Sequence, residues 1–424
     1  MSARLQAIRG MEDVLPEASA LWERLEEACR AVFRRYGYRN MRTPIVEPTA
    51  LFVRGLGQVT DIVEKEMYVF EDRNGESLAL RPEATAGIVR AAIEHNFLYN
   101  GPLRVWTAGP IFRYERPQKG RYRQFHQFDV EALGFEGPDV DAEQVAMLAR
   151  LWKSLGLPGV ELQVNSIGDA ADRKVHREKL VAWFEKHADI LDEDAKRRLH
   201  SNPLRILDSK NPALQEMIEA APKMLDHLGD AAADHFERLK WLLCEAGLPF
   251  TVNPRLVRGL DYYNRTVFEF VTPHIGAQST IAGGGRYDAL FEQLGGKPTP
   301  ACGFGMGIER VLLALQAAGV TAAQVPDAFI VHSGESAEGE AWKVSERLRD
   351  AGLDIVLGAG GSFKSQMKKA DASGARFAVI LGDDEVAARK LTLKPLRGDG
   401  PQQSLDLEGA ISHLAPRALS AAHP

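Results

Sequence analysis

The sequence predicts an α+β domain with a mixed, mainly antiparallel sheet and a helical insertion, followed by a small α/β domain with a mostly parallel sheet. Three observations lead there. The early part of the chain alternates strand-like segments with local hairpin turns, and strands joined by short turns pair antiparallel. From about Asp169 to Leu248 the chain turns to charged, Ala- and Leu-rich helical segments such as DRKVHREKLVAWFEKH and HFERLKWLLCEAGL. After Val320 to Pro326, FIVHS, DIVLG and RFAVILGD alternate with helical stretches, which is the order of a parallel sheet, and KLTLKPL follows. The boundaries fall at 1–325 for the first domain, about 169–248 for its insertion and 326–424 for the second domain. A chain of 424 residues exceeds one ordinary core, so more than one domain is the default.

In order along the chain, Leu21, Leu25, Cys29, Val32 and Phe33 recur at helical spacing, and Gly37 ends a helix predicted over Leu21 to Tyr36. In MRTPIVEPTALF, Pro44 and Pro48 forbid a regular helix and predict an extended segment. MYVFEDRNGESLALRPE reads as a hairpin turning at Asn74-Gly75. Pro82 to about Asn96 reads as a helix with Pro82 in its first turn. Leu103 to Gly109 is a strand leading into two more, IFRYE and QFHQFDVEA, joined by a basic loop with Gly120 near its tip. Strands resume at LVRGLDYYNRTVFEFV, a glycine-dense stretch IAGGGRYDALFEQLGG follows, and ACGFGMGIERVLLALQ is a strand, a turn and a helix. There is no internal repeat, and the LSAAHP tail is expected to fray.

Composition narrows the class. Hydrophobic content of 45% and charged content of 26% suit a soluble globular protein, and no apolar run is long enough to cross a bilayer. The opening MSARLQAIRG has no apolar core of the kind a secretion signal needs. Cys29, Cys244 and Cys302 are far apart without metal-ligand spacing, so neither zinc nor a disulfide is expected and a reducing cytoplasm fits. A net charge of −6 argues against coating nucleic acid by bulk charge, though not against local basic patches.

Five segments carry the chemistry. FRYERPQKGRYRQFHQFDVEALG gathers Arg113, Arg116, Lys119, Arg121 and Arg123 around Gly120, with Glu115 and Glu131 among them. This reads either as a solvated charged hairpin or as a phosphate site. In LRPEATAG, Glu83 and Thr85 suit an ammonium group, or supply an ordinary acidic helix start. In RGLDYYNRTVFE, Arg258 and Asp261 bracket Gly259, and Tyr262 and Tyr263 enter a strand where aromatic packing is an equal reading. GGGRYD places three glycines where a strand should be stiff, which marks a close backbone approach. GFGMGIER fails as a dinucleotide fingerprint, and its Arg310 sits at a helix start where the dipole disfavours a cation, so an external anion is implied.

Together and in this order, these segments resemble class II aminoacyl-tRNA synthetases, and within them the histidyl-tRNA synthetase family. The resemblance runs from IRGMEDVLPEA to the GDDE and KLTLKPL segments. The basic hairpin resembles the class's motif 2, GFGMGIERVLL resembles motif 3, and YGYRNMRTPIVEPTALF the dimer-forming motif 1. RGLDYY and GGGRYD resemble two histidine-specific segments; Ala84 departs from the family's usual glycine between Glu83 and Thr85.

The resemblance implies a catalytic domain, then an anticodon-binding domain, and ATP-dependent attachment of L-histidine to histidine tRNA through histidyl-adenylate. Carried over by motif position, Arg113 and Arg258 are the catalytic pair at the α-phosphate and substrate carboxylate. Arg113, Glu115, Arg121, Phe125 and Arg310 bind ATP, with Mg²⁺ held largely by substrate oxygens and water and no protein metal site. Glu83, Thr85 and Gln127 hold the ammonium, while Glu131, Tyr262 and Tyr263 face the imidazole, Tyr263 the more direct. Arg116, Gln118, Arg121 and Arg123 meet the tRNA acceptor end, and the insertion contacts tRNA instead of editing. Lys364, Lys368 and Lys369 either touch tRNA phosphate or form a solvated helix face. A homodimer through the motif 1 region is implied, with no membrane contact. Two other readings stand beside this one. The first is a non-catalytic, synthetase-like regulatory subunit of histidine biosynthesis; the second is a synthetase of the same class for proline or threonine.

Overall fold

Pro16 opens a twenty-residue helix, α1 (Pro16–Arg35), whose Leu21, Leu25, Cys29, Val32 and Phe33 are all buried on one side. Gly37, at φ +79°, ends it with the left-handed residue that a helix exit needs. The structure is a computed structural model that describes residues 4–57, 60–201, 203–207, 209 and 211–415; the LSAAHP tail lies outside them. The chain divides into two compact units, Met1–Ala322 and Ala323–Pro424.

In the first unit, β1 (Arg39–Asn40), β2 (Val46–Pro48) and α2 (Thr49–Leu56) follow α1. The extended reading of MRTPIVEPTALF therefore holds only to Pro48. That proline directly precedes a helix, where its missing N–H costs nothing, and TALF belongs to α2. Strands β3 (Tyr68–Glu71) and β4 (Ser77–Leu80) form the predicted hairpin. Its loop is five residues rather than a two-residue turn, because Asp72 Oδ1 accepts the Asn74 and Glu76 amides at 2.8 and 2.9 Å. Helix α3 (Thr85–Glu94) begins three residues later than expected, so Pro82 lies outside it. Strands β5 (Leu103–Phe112) and β6 (Gln124–Leu133) make the long hairpin, and their ladder stops at the Phe112–Gln124 pair. Arg113 to Glu115 thus start the loop rather than end a strand.

Helix α4 (Pro138–Leu155) and strand β7 (Glu161–Ser166) lead to four helices, α5 (Ala170–Glu185), α6 (Glu193–Arg198), α7 (Gln215–Glu219) and α8 (Asp230–Glu245). The first three share a small core around Leu180, Phe184, Leu214 and Ile218. The last buries Phe236, Leu239 and Leu243 in the main core instead. Then come β8 (Thr251–Val252), β9 (Asn264–Val271), β10 (Thr280–Arg286), α9 (Leu290–Gln293), β11 (Ala301–Gly307) and α10 (Ile308–Ala317).

The eight-stranded sheet runs β1-β5-β6-β11-β10-β9-β7-β8. Only its two outermost pairings, β1 with β5 and β7 with β8, are parallel. One face of β6 and β11 sends Phe128, Val130, Phe304 and Met306 into the main core with α1, α4 and α10. Period-2 alternation turns Gln127, Asp129 and Glu131 to the other face. Arg286 anchors the sheet from beneath. It is fully buried and donates to Asp141 Oδ1 at 2.6 Å, and Asp141 Oδ2 also meets His235 Nε2 at 3.0 Å.

The second unit contains β12 (Ala328–Ser333), α11 (Glu335–Asp350), β13 (Ile355–Leu357), α12 (Phe363–Ala372), β14 (Phe377–Gly382), α13 (Asp383–Ala388), β15 (Leu391–Pro395), β16 (Gln403–Leu405) and α14 (Leu407–Leu414). Its sheet order is β13-β12-β14-β15-β16. The alternating part pairs parallel as predicted, β12 with both β13 and β14. KLTLKPL and the unpredicted β16 close the sheet antiparallel, which makes it mixed. A short loop, with no crossover helix, connects β15 to β16 and permits only that direction.

Candidate active site

The glycines of β10 and β11 make the site possible. Across the β6–β11 ladder, Gln127 faces Gly307, Asp129 faces Gly305 and Glu131 faces Gly303. A Cβ on Gly303 would collide with the Glu131 carboxylate. On Gly305 it would stand 3.2 Å from Asp129 Oδ1 and 3.3 Å from Gln127 Nε2. On Gly283 it would meet Arg258 Nη1 at 2.6 Å. The middle glycine of GGGRYD differs, since a Cβ on Gly284 would strike the backbone of Gly303 and Phe304. The close approach predicted for these glycines is therefore to polar side chains on one face and to a neighbouring strand on the other.

Above this floor lies a cleft of about 310 Å³. Of the residues predicted from sequence, Arg113, Glu115, Arg121, Phe125, Gln127, Arg258 and Arg310 line it. Arg113 donates from Nε to the Pro82 carbonyl at 2.8 Å, and its guanidinium lies 5.4 Å from the Phe125 ring. Arg310 is held by the Gly120 carbonyl at 2.9 Å and the Thr280 carbonyl at 3.1 Å, so the third residue of α10 spans the loop tip and β10. Arg121 pairs with Glu115. Arg258 pairs with Glu269, which also accepts from Thr280 Oγ1 at 2.8 Å. Burial lowers the Arg310 pKa, and repulsion from Arg121 and Arg113 lowers it further. Such crowding of cations favours an anionic ligand carrying several charges.

Next to the cleft, Glu83, Thr85, Glu131, Tyr262 and Tyr263 come together as a buried cluster. Thr85 Oγ1 donates to Glu131 Oε1 at 2.7 Å. The rings of Tyr262 and Tyr263 are 4.7 Å apart, and Arg258 lies 5.4 Å from the Tyr263 ring. Both readings of Glu83 meet here, because its carboxylate caps α3, accepting the Thr85 amide at 2.7 Å and the Ala86 amide at 2.9 Å. Burial raises the Glu131 pKa well above the carboxylate range, against donors from Tyr287 and Thr85.

Three participants escaped the sequence reading. Tyr287 donates its hydroxyl to Glu131; it stands in GGGRYD, where the three glycines are the stronger signal. Asp129 sits between Gln127 and Glu131, and strand alternation alone puts it on their face. Glu309 receives the His126 amide at 2.9 Å and lines the cleft, 183 residues from that partner, a separation no local pattern reveals.

The remaining predicted residues lie outside the cleft. Gln118 and Arg121 exchange backbone hydrogen bonds of 3.0 and 2.9 Å across the loop tip, where Gly120 adopts φ +73°. Arg123 covers Tyr114 at 4.0 Å, and with Arg116 and Arg9 it borders a separate hollow. In the second unit Lys364 lines a hollow with Phe363 and Lys394, while Lys368 and Lys369 are exposed elsewhere along α12.

The profile of a family described as Histidyl-tRNA synthetase matches residues 10–311, and one described as Anticodon binding domain matches residues 327–416. A protein named histidine–tRNA ligase from Methylobacillus flagellatus is 59% identical over 417 residues, covering 98% of this chain and 100% of the relative. One of that name from Thiobacillus denitrificans is 60% identical over 417 residues, covering 98% and 99%. The crystal structure of apo S. aureus histidyl-tRNA synthetase superposes with a TM-score of 0.80 at 36% identity, covering 97% of this chain and 100% of that one. With the profile over most of the chain and such relatives aligned end to end, this chain belongs to the histidyl-tRNA synthetase family.

Proposed function

We propose that the chain attaches L-histidine to histidine tRNA, using ATP and passing through histidyl-adenylate. The observation that carries this reading is one cleft with four converging arginines joined to one buried pocket of acids and tyrosines. In the first step the histidine carboxylate attacks the α-phosphorus of ATP, pyrophosphate leaves, and two anions have to meet. Arg113 and Arg258 face the cleft from different segments, which suits the α-phosphate and the substrate carboxylate. Phe125 offers a ring for the adenine and Glu115 an acceptor for its amino group, with Arg121 and Arg310 toward the distal phosphates. Glu83, Thr85 and Gln127 take the ammonium, and Glu131, Tyr262 and Tyr263 the imidazole. An analogue without these polar atoms leaves buried groups unpaired and is rejected, so no editing step is assigned.

Among the described residues no group of three or more His, Cys, Asp or Glu side chains forms a metal cage. Of the cleft carboxylates, Glu115 and Glu269 are already ion-paired and Glu309 accepts the His126 amide. Mg²⁺ would arrive with ATP as the counter-ion of its phosphates, and Glu115, Glu269 and Glu309 are the carboxylates the cleft could offer it. The acyl group then passes to the terminal ribose of the tRNA. Arg116, Gln118, Arg121 and Arg123 on the loop are assigned to the acceptor end, residues 169–248 to further tRNA contact, and the second unit to the anticodon. We infer a homodimer through the motif 1 region and a cytoplasmic location; no helix among the described residues is long and apolar enough to cross a membrane.

The test is amino-acid-dependent exchange of pyrophosphate into ATP, run with each of the twenty amino acids, with and without magnesium. Exchange with histidine alone is expected, and only with magnesium. No exchange with any amino acid, from demonstrably folded protein, would move the chain to the regulatory-subunit reading.

A further inference from the structure

Asp129 is a buried carboxylate in the amino-acid half of the site to which the mechanism above gives no task. It is only 4% exposed, on the polar face of β6 between Gln127 and Glu131. Its two acidic neighbours are engaged. Both oxygens of Glu83 accept amides of α3, and both of Glu131 accept hydroxyls, from Thr85 and Tyr287. Asp129, by contrast, has no hydrogen-bond or ion-pair partner among the described residues, and neither does the side chain of Gln127. Leaving a buried carboxylate ionised and unpaired is costly, so it stays protonated until a cation pairs with it.

The geometry shows where that cation enters. Asp129 Oδ1 and Gln127 Nε2 stand over the same glycine, 3.2 and 3.3 Å from where a Gly305 Cβ would be, and Gly305 and Gln127 both line the cleft. A side chain at position 305 would close that opening. The charges surrounding Asp129 are Arg81, Arg113, Glu83 and Glu131. Arg81 is the cation that most favours the Asp129 charge, but it gives its hydrogen bonds to the Pro110 carbonyl from Nε at 2.9 Å and to Thr43 from Nη1 at 3.4 Å, and Arg113 faces the cleft.

We propose that Asp129 joins Glu83, Thr85 and Gln127 in binding the substrate's α-ammonium, as a second carboxylate beside the Gln127 amide over Gly305. The inference rests on histidine being the substrate. In the free protein, burial and repulsion from Glu83 push the Asp129 carboxyl up to about 7, against Arg81 and Arg113. An arriving ammonium favours its ionised form and completes the pair.

The experiment is Asp129→Asn in the full chain, assayed by histidine-dependent pyrophosphate exchange. It is combined with inhibition by imidazolepropionate, which is histidine without its ammonium. The KM for histidine is expected to rise by about 30-fold or more, the scale of truncating one partner of a buried charge pair. The KM for ATP and the inhibition constant of imidazolepropionate should stay within about 3-fold, since neither ligand reaches Asp129 with a cation. Thermal stability at pH 8 should hold or rise. A carboxyl with a raised folded-state pKa lowers stability as pH climbs toward that pKa, and asparagine removes the burden. A histidine KM within about 2-fold of wild type overturns the assignment, as does an equal loss for histidine and imidazolepropionate. Asp129→Ser, read the same way, takes over if the asparagine variant does not fold. Wild-type protein inactive with histidine would overturn the functional reading and this one with it; active wild type with an unaffected variant overturns this one alone.

Discussion

Arg258 reaches the cleft from the loop before β9, and its partner Glu269 lies on that same strand. Its Nε has no hydrogen-bond acceptor among the described residues. The pair with Glu269 fixes the guanidinium in the wall of the cleft. Such an arrangement is pre-organised for charge that develops during reaction rather than for holding ATP, which Arg113, Arg121 and Arg310 can grip without it. Lysine keeps the charge but loses the planar fork and the contact over Tyr263. Arg258→Lys is therefore expected to lower kcat for histidine-dependent exchange by roughly 10²- to 10³-fold while raising the KM for ATP far less. An equal loss through the KM for ATP, with kcat preserved, would reassign Arg258 to ground-state nucleotide binding.

Among elements, β10 has adjacent glycines that do different work. Gly283 keeps space for the Arg258 guanidinium and Gly284 for the backbone of β11. Alanine at 283 meets side-chain atoms only, Arg258 Nη1 at 2.6 Å and Glu269 Cγ at 3.1 Å, which can yield where main chain cannot, so Gly283→Ala should fold, with a melting temperature near wild type, and lose most of its turnover as Arg258 is displaced. Alanine at 284 meets main chain that cannot retreat without separating β10 from β11. Gly284→Ala should cost ~3 kcal/mol or more and appear as a large fall in melting temperature or as insoluble protein. Thermal unfolding and exchange assays on both would separate the two roles, and equal behaviour would refute the distinction. The contrast also shows what one sequence can reveal. Three glycines in a strand announce a close approach, and period 2 on QFHQFDVEA sets the polar face. Neither tells which atoms approach, because Arg258, Glu131 and Phe304 come from remote segments that only the sheet order brings together. The late start of α3 is similar, since Arg113 from the basic hairpin binds the Pro82 carbonyl and Glu83 caps the helix instead.

At the scale of the molecule, the small sheet β2-β4-β3 poses a question that the single chain leaves unanswered. Val46, Tyr68, Phe70, Leu78 and Leu80 share one of its faces by register, and Glu47, Val69 and Ala79 share the other. On the second face only Val69 of the edge strand β3 emerges, at 51%, and the middle is buried, with Ala79 at 0% and Glu47 at 5% exposure. The first face is not: Phe70 is 42% exposed and Val46 39%, and beside it Tyr114 is 55% exposed while its ring packs against Tyr68 at 5.7 Å. A contiguous apolar face on a water-exposed sheet marks a contact surface, and β2 lies within the segment resembling the dimer-forming motif. A second copy of this chain is the occupant that the resemblance supplies. Charging the face should then be tolerated by the fold, since Val46 and Phe70 already reach water, and resisted by the assembly. The double variant Val46→Lys, Phe70→Lys is expected to sediment as a monomer at micromolar concentration where the wild type sediments as a dimer. Exchange activity should fall with it, because Tyr114 follows Arg113 directly and its amide is held by the Glu66 carbonyl at 2.7 Å, so the face and the catalytic loop are continuous. A wild-type monomer would refute the dimer, and an undisturbed dimer in the double variant would move its interface off this face.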